Sequence, residues 1–194
     1  KILIITDNKL SSLNQSNALA KELANKSKSK IKILYKKINK SFFHKLPNFI
    51  IYLFLNFKFF FKKEIFDRKV KLIISCGRIS APYNLILKKI HKCPNIHILD
   101  PYFKYNSFSK IIIPEHDLNK FKTSTNLLIS KGTLVDKSRF RNHKIYLSKL
   151  KKNLLKKKKI LLMIGGDGRS SKITIKDLAD IIKEMNTLCE KFQI

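Results

Sequence analysis

Between Val70 and Asp117 the chain repeats one pattern: an apolar run of strand length that ends in a polar cluster. VKLIISC ends in Gly77-Arg78, NIHIL in Asp100-Pro101, and KIII in Pro114-Glu115-His116-Asp117. A strand covered on both faces needs such continuous Val/Ile/Leu runs, and loops that carry function sit at the carboxyl ends of parallel strands. The pattern therefore points to an α/β class with a Rossmann-like parallel sheet. Gly77 allows a tight exit from the first run, Ser80 is placed as the N-cap of the next helix, and Pro82 falls in its first turn, where a missing N–H costs nothing. Leu85, Ile86, Leu87 and Ile90 supply its buried face. Three polar strand ends of one parallel sheet would converge on one crevice.

Earlier in the chain, residues 1–6 (KILIIT) predict a strand closed by Asp7, and a turn is expected over 8–13. A helix follows over NQSNALAKELA, then a strand at 31–35. Short strands are expected at 96–99, 110–114 and 126–130, which brings the total to about six separated by helices or loops. Residues 147–159 (LSKLKKNLLKKKK) predict a basic helix that reads as a linker between lobes. A fresh strand at 160–164 then ends in Gly165-Gly166-Asp167-Gly168-Arg169. Thr174 and Asp177 have the spacing of a capping box, ahead of a helix with Leu178, Ile181, Ile182, Met185, Leu188, Cys189 and Phe192 at helical intervals. One strand and one helix cannot cover both faces of a parallel sheet. The expected organisation is an N-terminal lobe over 1–146, a linker helix over 147–159, and the first strand-helix unit of an incomplete C-terminal lobe over 160–194. With Lys at position 1, already inside an apolar strand, the chain reads as a fragment at both ends.

Residues 41–63 (SFFHKLPNFIIYLFLNFKFFFKK) stand apart. From Phe49 to Phe61 only Asn56 and Lys58 are polar, yet the run is shorter than the roughly 20 apolar residues a spanning helix needs. It is either a core helix under a crossover or a segment lying in a membrane interface, aromatics down and lysines among the headgroups. The formal net charge of +29 bears on that choice. Lysine greatly outnumbers arginine and is scattered rather than gathered into a stripe, and Asn, Ile and Phe are also plentiful, as an AT-rich coding sequence would produce. A nucleic-acid partner is not expected; an anionic membrane surface is the better match. The three cysteines are too separated for a metal cage or disulfide framework and fit a reducing, cytoplasmic compartment.

Gly77, Arg78 and Ser80 at a helix start outline an anion site, since free N–H groups and a guanidinium could grip a phosphate or carboxylate. The alternative is a plain turn with a surface charge. Glu115, His116 and Asp117 offer an acid/base set: His titrates near neutrality, and a neighbouring carboxylate would orient it as a general base for an acceptor hydroxyl. The alternative is that Asp117 caps a turn and Glu115 is solvated. No second histidine lies at ligand spacing, so no metal site is expected. Gly166 and Gly168 form only part of a dinucleotide fingerprint, with Ser171 at the third glycine position, so no NAD-type cofactor is expected; Gly165, Gly166 and Gly168 could still contact a phosphate. His44, His91, His97 and His143 have no sequence-evident partner.

CGRISAP, ILDP, PEHD, a later Lys131-Gly132 after an apolar strand, and a strand ending IGGD, in that order, resemble the mitochondrial-fission "elongated mitochondria" family, which has many bacterial members. The opening also resembles the family's Asp-Gly-x-x-Gly-His-x-Asn-Gln: Asp7, Asn14 and Gln15 match, while Asn8, Ser11 and Ser12 replace two glycines and the histidine. The family is similar to GT-B glycosyltransferases, two Rossmann-like lobes facing across a cleft. The resemblance implies transfer of a sugar from a nucleotide-sugar donor, held mainly by the C-terminal lobe, to an envelope-type acceptor on the N-terminal lobe. It also implies a cytoplasmic location or one peripheral to the inner membrane face. A non-catalytic interaction protein on a membrane surface is the alternative.

Overall fold

The computed structural model describes residues 1–27, 30–39, 41–61, 70–120, 125–136, 138, 162 and 173–192. The chain divides into two compact units, Lys1–Phe140 and Arg141–Ile194. In the first, the strands are β1 (Ile2–Thr6), β2 (Ile33–Lys37), β3 (Leu72–Cys76), β4 (Asn95–Ile98), β5 (Lys110–Pro114) and β6 (Leu127–Ser130). They form a six-stranded sheet in the order β2-β1-β3-β4-β5-β6, and every adjacent pair is parallel. The expected α/β class is the one observed. All the carboxyl ends therefore lie along one edge, and the order reverses between β1 and β3, which makes their ends the topological switch point.

Helices α1 (Leu10–Lys26), α2 (Asn48–Phe61) and α3 (Ser80–His91) complete this unit. Side chains alternate across the sheet, as a pleated strand dictates. Ile2, Ile4, Ile74, Cys76, Ile98 and Ile112 face α1 and pack with Ala20. Leu3, Ile5 and Ile73 face the other way and pack with Leu87 of α3, while Ile111 and Ile113 meet Leu85 and Ile86 of α3 and Ile51, Tyr52 and Leu55 of α2. Burial on both faces explains why these strands read as unbroken apolar runs.

The structure moves several boundaries. The turn expected over 8–13 closes within three residues: Asn8 takes φ 63°, its N–H donates to Thr6 Oγ1 at 3.1 Å, and Lys9 N–H donates to Asp7 Oδ1 at 3.2 Å. With the reversal complete, α1 begins at Leu10. β2 runs from Ile33 to Lys37 instead of 31–35, because its register against β1 pairs Ile2 with Ile33 and Thr6 with Lys37. Ser80 is not the N-cap of α3. Ile79 holds that position, and Ser80 Oγ lies 2.9 Å from both the Cys76 and Gly77 carbonyl oxygens, so its hydroxyl ties the helix back to the strand end.

In the second unit, α4 (Ile175–Phe192) opens with the expected capping box. Thr174 N–H donates to Asp177 Oδ2 at 2.8 Å, and Asp177 N–H donates to Thr174 Oγ1 at 3.2 Å. The expected linker helix over 147–159, the glycines Gly165, Gly166 and Gly168, and the strand expected over 160–164 except Leu162 lie outside the described residues.

Candidate functional site

The switch point brings the start of α1 against the end of β3. Gly77 has φ +82°, and a Cβ at this position would lie 3.4 Å from Ser12 Oγ. Glycine is required here by the left-handed backbone more than by the space. Ser12 is also bonded to the Cys76 thiol, but burial dominates that group and pushes its pKa up to about 12, so Cys76 is an inert packing thiol.

One turn further along α1 a cleft of about 240 Å³ opens, lined by Ser11, Asn14, Gln15, Thr133, Leu134, Val135 and Asp136. The segment after β6 closes its far wall, with Leu134 packed on the α1 face of the core and Asp136 held by Lys21 at 2.6 Å. That ammonium and the Ser138 side chain and N–H keep the Asp136 carboxyl well below its usual range. Gln15 is buried, and its Oε1 has no hydrogen-bond partner among the described residues; neither does the buried Ser16 Oγ beside it. A buried acceptor without a donor costs free energy, which a ligand donor in the cleft would recover. Among the described residues the wall is thus polar but electrically balanced, with amides and hydroxyls beside two apolar side chains.

Arg78 is turned toward its own chain. Its Nη1 donates to the Leu46 carbonyl at 2.9 Å and lies 3.4 Å from Asn48 Oδ1, and its Nη2 donates to the His44 carbonyl. Buried Asn48 answers by donating Nδ2 to the Arg78 carbonyl at 2.8 Å and to the Pro101 carbonyl at 2.7 Å. The exits of β3 and β4 are thereby tied to the start of α2. Sequence inspection could not supply these partners, which are backbone carbonyls some 30 residues upstream.

Glu115, His116 and Asp117 occupy a short 3-10 turn directly after β5. Glu115 and His116 are exposed and Asp117 is half-buried. His116 Nε2 stands 3.8 Å from Asp117 Oδ2, an ion-pair distance too long for a hydrogen bond. The trio shares the carboxyl edge with Gly77 and Arg78 but does not line the cleft.

Two histidines that had no sequence-evident partner have one. His44 Nδ1 accepts the Ser41 N–H at 3.0 Å, which leaves its Nε2 proton facing Tyr83 Oη at 2.8 Å. His97 is wholly buried, with Nδ1 2.7 Å from Ser75 Oγ. Burial drives its pKa down to about 3, slightly opposed by the Asp100 main chain. Asn84 of α3 donates to Ser75 Oγ at 2.6 Å and accepts from Asn95 Nδ2 at 2.6 Å. These polar residues at strand positions that face α3 fix the helix over β3 and β4, a structural role. Among the described residues no three His, Cys, Asp or Glu side chains converge as metal ligands.

The family model described as "Mitochondrial fission ELM1" matches residues 12–194. The chain belongs to this family. The ELM1 match begins at Ser12, so it takes in most of α1, the cleft residues Asn14 and Gln15, and the sheet strands β2 to β6, while β1 lies before it. An uncharacterized protein of Rickettsia prowazekii (strain Madrid E) is 33% identical over 119 residues, 60% of this chain and 32% of that protein. The chain thus matches about a third of the length of this relative. No solved structure matches the chain.

Proposed function

We propose that this ELM1-family chain supplies the acceptor side of a glycosyltransferase that moves a sugar from a nucleotide donor to an envelope-type acceptor. The observation that carries the reading is the unpartnered Gln15 carbonyl in a charge-balanced cleft beside the switch point. Sugar hydroxyls both donate and accept, and the C–H face of a pyranose is apolar. Asn14, Gln15, Ser11 and Thr133 beside Leu134 and Val135 match both properties. Among the described cleft-lining side chains a free phosphate would meet no unpaired cation.

In the transfer, the acceptor hydroxyl oxygen bonds to the sugar C1, the C1–O bond to the diphosphate breaks, and the nucleoside diphosphate leaves with that electron pair. The acceptor proton goes to a base. His116, on the same carboxyl edge though outside the cleft lining, is the candidate base, with Asp117 Oδ2 3.8 Å from its Nε2 and Glu115 beside it. Gly77 and the α1 and α3 starts around it remain the candidate anion contact of this lobe, and Gly165, Gly166 and Gly168 that of the donor side.

Saturation-transfer NMR with glucose and N-acetylglucosamine oligosaccharides, together with turnover of UDP- and GDP-sugars, tests the reading. Saccharide signals that vanish in Gln15→Leu, and turnover that is lost in His116→Ala with saccharide binding intact, are expected. Absence of saccharide binding to a folded chain overturns it.

A further inference from the structure

Helix α2 carries large apolar side chains on two opposite sides, and the core covers one of them. Ile51, Tyr52 and Leu55 are buried against α3 and the sheet. On the opposite side Phe49, Ile50, Leu53, Phe54 and Phe57 are exposed, Phe57 by 68%. The spacing explains the division, since these five fall within one stripe at about 100° per residue. The preceding turn continues the stripe through Leu46 and Phe42, the latter 79% exposed. Phe43 joins the two, its ring 4.9 Å from that of Phe54. A contiguous apolar surface of this kind on a soluble face marks a docking site.

The surroundings of the stripe select its occupant. Lys45 Nζ lies 4.6 Å over the Phe42 ring in the stripe itself, whereas Lys89 and Lys104 lie 5.2 and 5.0 Å from the Tyr52 ring on the covered side of the helix, Lys89 also donating to Asn56 Oδ1 at 3.1 Å. No Asp or Glu occurs between Glu22 and Glu64. A second copy would bring the same lysines against these, on a chain of net charge +29. An anionic lipid surface instead offers acyl chains to the aromatics and headgroups to the lysines. No helix among the described residues is long and apolar enough to cross a membrane, so α2 would lie in the interface.

We infer that the Phe42–Phe57 face of α2 docks this chain peripherally on an anionic bilayer. This stands apart from the sugar-transfer reading and survives its failure. The geometry sets Leu53 and Phe57 into the acyl boundary with Lys45, beside Phe42, reaching the phosphates, so both apolar and charged contacts contribute.

The test is flotation of the full chain with phosphatidylglycerol/phosphatidylcholine vesicles and with phosphatidylcholine alone. Binding to the anionic vesicles at low salt, weakening at high salt, is expected. The double variant Leu53→Gln/Phe57→Gln should lose roughly tenfold or more of its partitioning. The chain contains no tryptophan, so Phe57→Trp gives a single reporter if the double variant fails to fold. Its emission should shift to the blue on anionic vesicles and be quenched by brominated lipid, whereas Tyr35→Trp on β2 should not respond. No flotation at low salt, or a folded double variant that floats as well as the parent, overturns the inference. So does a dimer in sedimentation without lipid that the double variant dissolves, which would give the face to a second copy.

Discussion

Asn48 and Arg78 hold each other in both directions: Asn48 Nδ2 donates to the Arg78 carbonyl at 2.8 Å, and Arg78 Nη1 lies 3.4 Å from Asn48 Oδ1. Because Arg78 also binds the His44 and Leu46 carbonyls, the pair fastens the entry of α2 to the carboxyl edge of the sheet. The exposed aromatic side of α2 is thus anchored at the same edge that carries the cleft.

Removing either partner should destabilise the fold. Asn48 is buried and bonds two carbonyls, so Asn48→Ala is expected to cost about 1–3 kcal/mol in urea unfolding. Arg78→Lys cannot span two carbonyls with one planar fork and is expected to cost about 1–2 kcal/mol. An unchanged midpoint for Arg78→Lys would return Arg78 to a purely solvent-facing or ligand-facing role.

Gly77→Ala should cost about 1–2 kcal/mol, from the left-handed backbone and not from crowding. A Cβ at 3.4 Å from Ser12 Oγ is an ordinary contact, so Ser12→Gly should not rescue it. Gly77→Asn should cost less, since Asn tolerates φ > 0. Thermal melting of the three variants checks the order.

His97 makes stability depend on pH in a definite direction. Its folded pKa, about 3, lies below the ordinary 6.5, so between these values the unfolded chain binds a proton that the folded chain does not. Stability should be full above about pH 6.5 and fall toward pH 3, with a slope approaching 1.4 kcal/mol per pH unit from this group, about the value of one proton. Imidazole nitrogen shifts should report a neutral His97 at pH 5. Titration of His97 near 6.5 would remove this contribution.

Thiol reactivity should follow burial. Cys76 and Cys93 are buried with raised pKa values, whereas Cys189 on α4 is half-exposed. Iodoacetamide on the native chain should label Cys189 first, and the other two only as urea unfolds the sheet. Mass spectrometry of digested samples resolves the order. Early labelling of Cys76 would contradict the packing of β3 against α1.

The strands were legible because each is a local apolar run, and a doubly covered parallel sheet demands nothing subtler. β5 falls on the residues expected, and the polar ends of β3, β4 and β5 share one edge because parallel pairing leaves no alternative. The capping box at Thr174 and Asp177 was equally visible, since both partners lie within one turn. What the tertiary structure alone decided depends on residues distant in the chain. α2 has apolar residues on opposite sides, so its sequence could not say which of them the core would cover. Arg78 met carbonyls of the α2 entry in place of open solvent. His97 found Ser75 across a strand pair, and Gln15 found a cleft wall supplied by residues 133–136. Local periodicity is written in neighbouring side chains, but the partner of a polar group is chosen by the crossing of elements, which only the folded chain fixes.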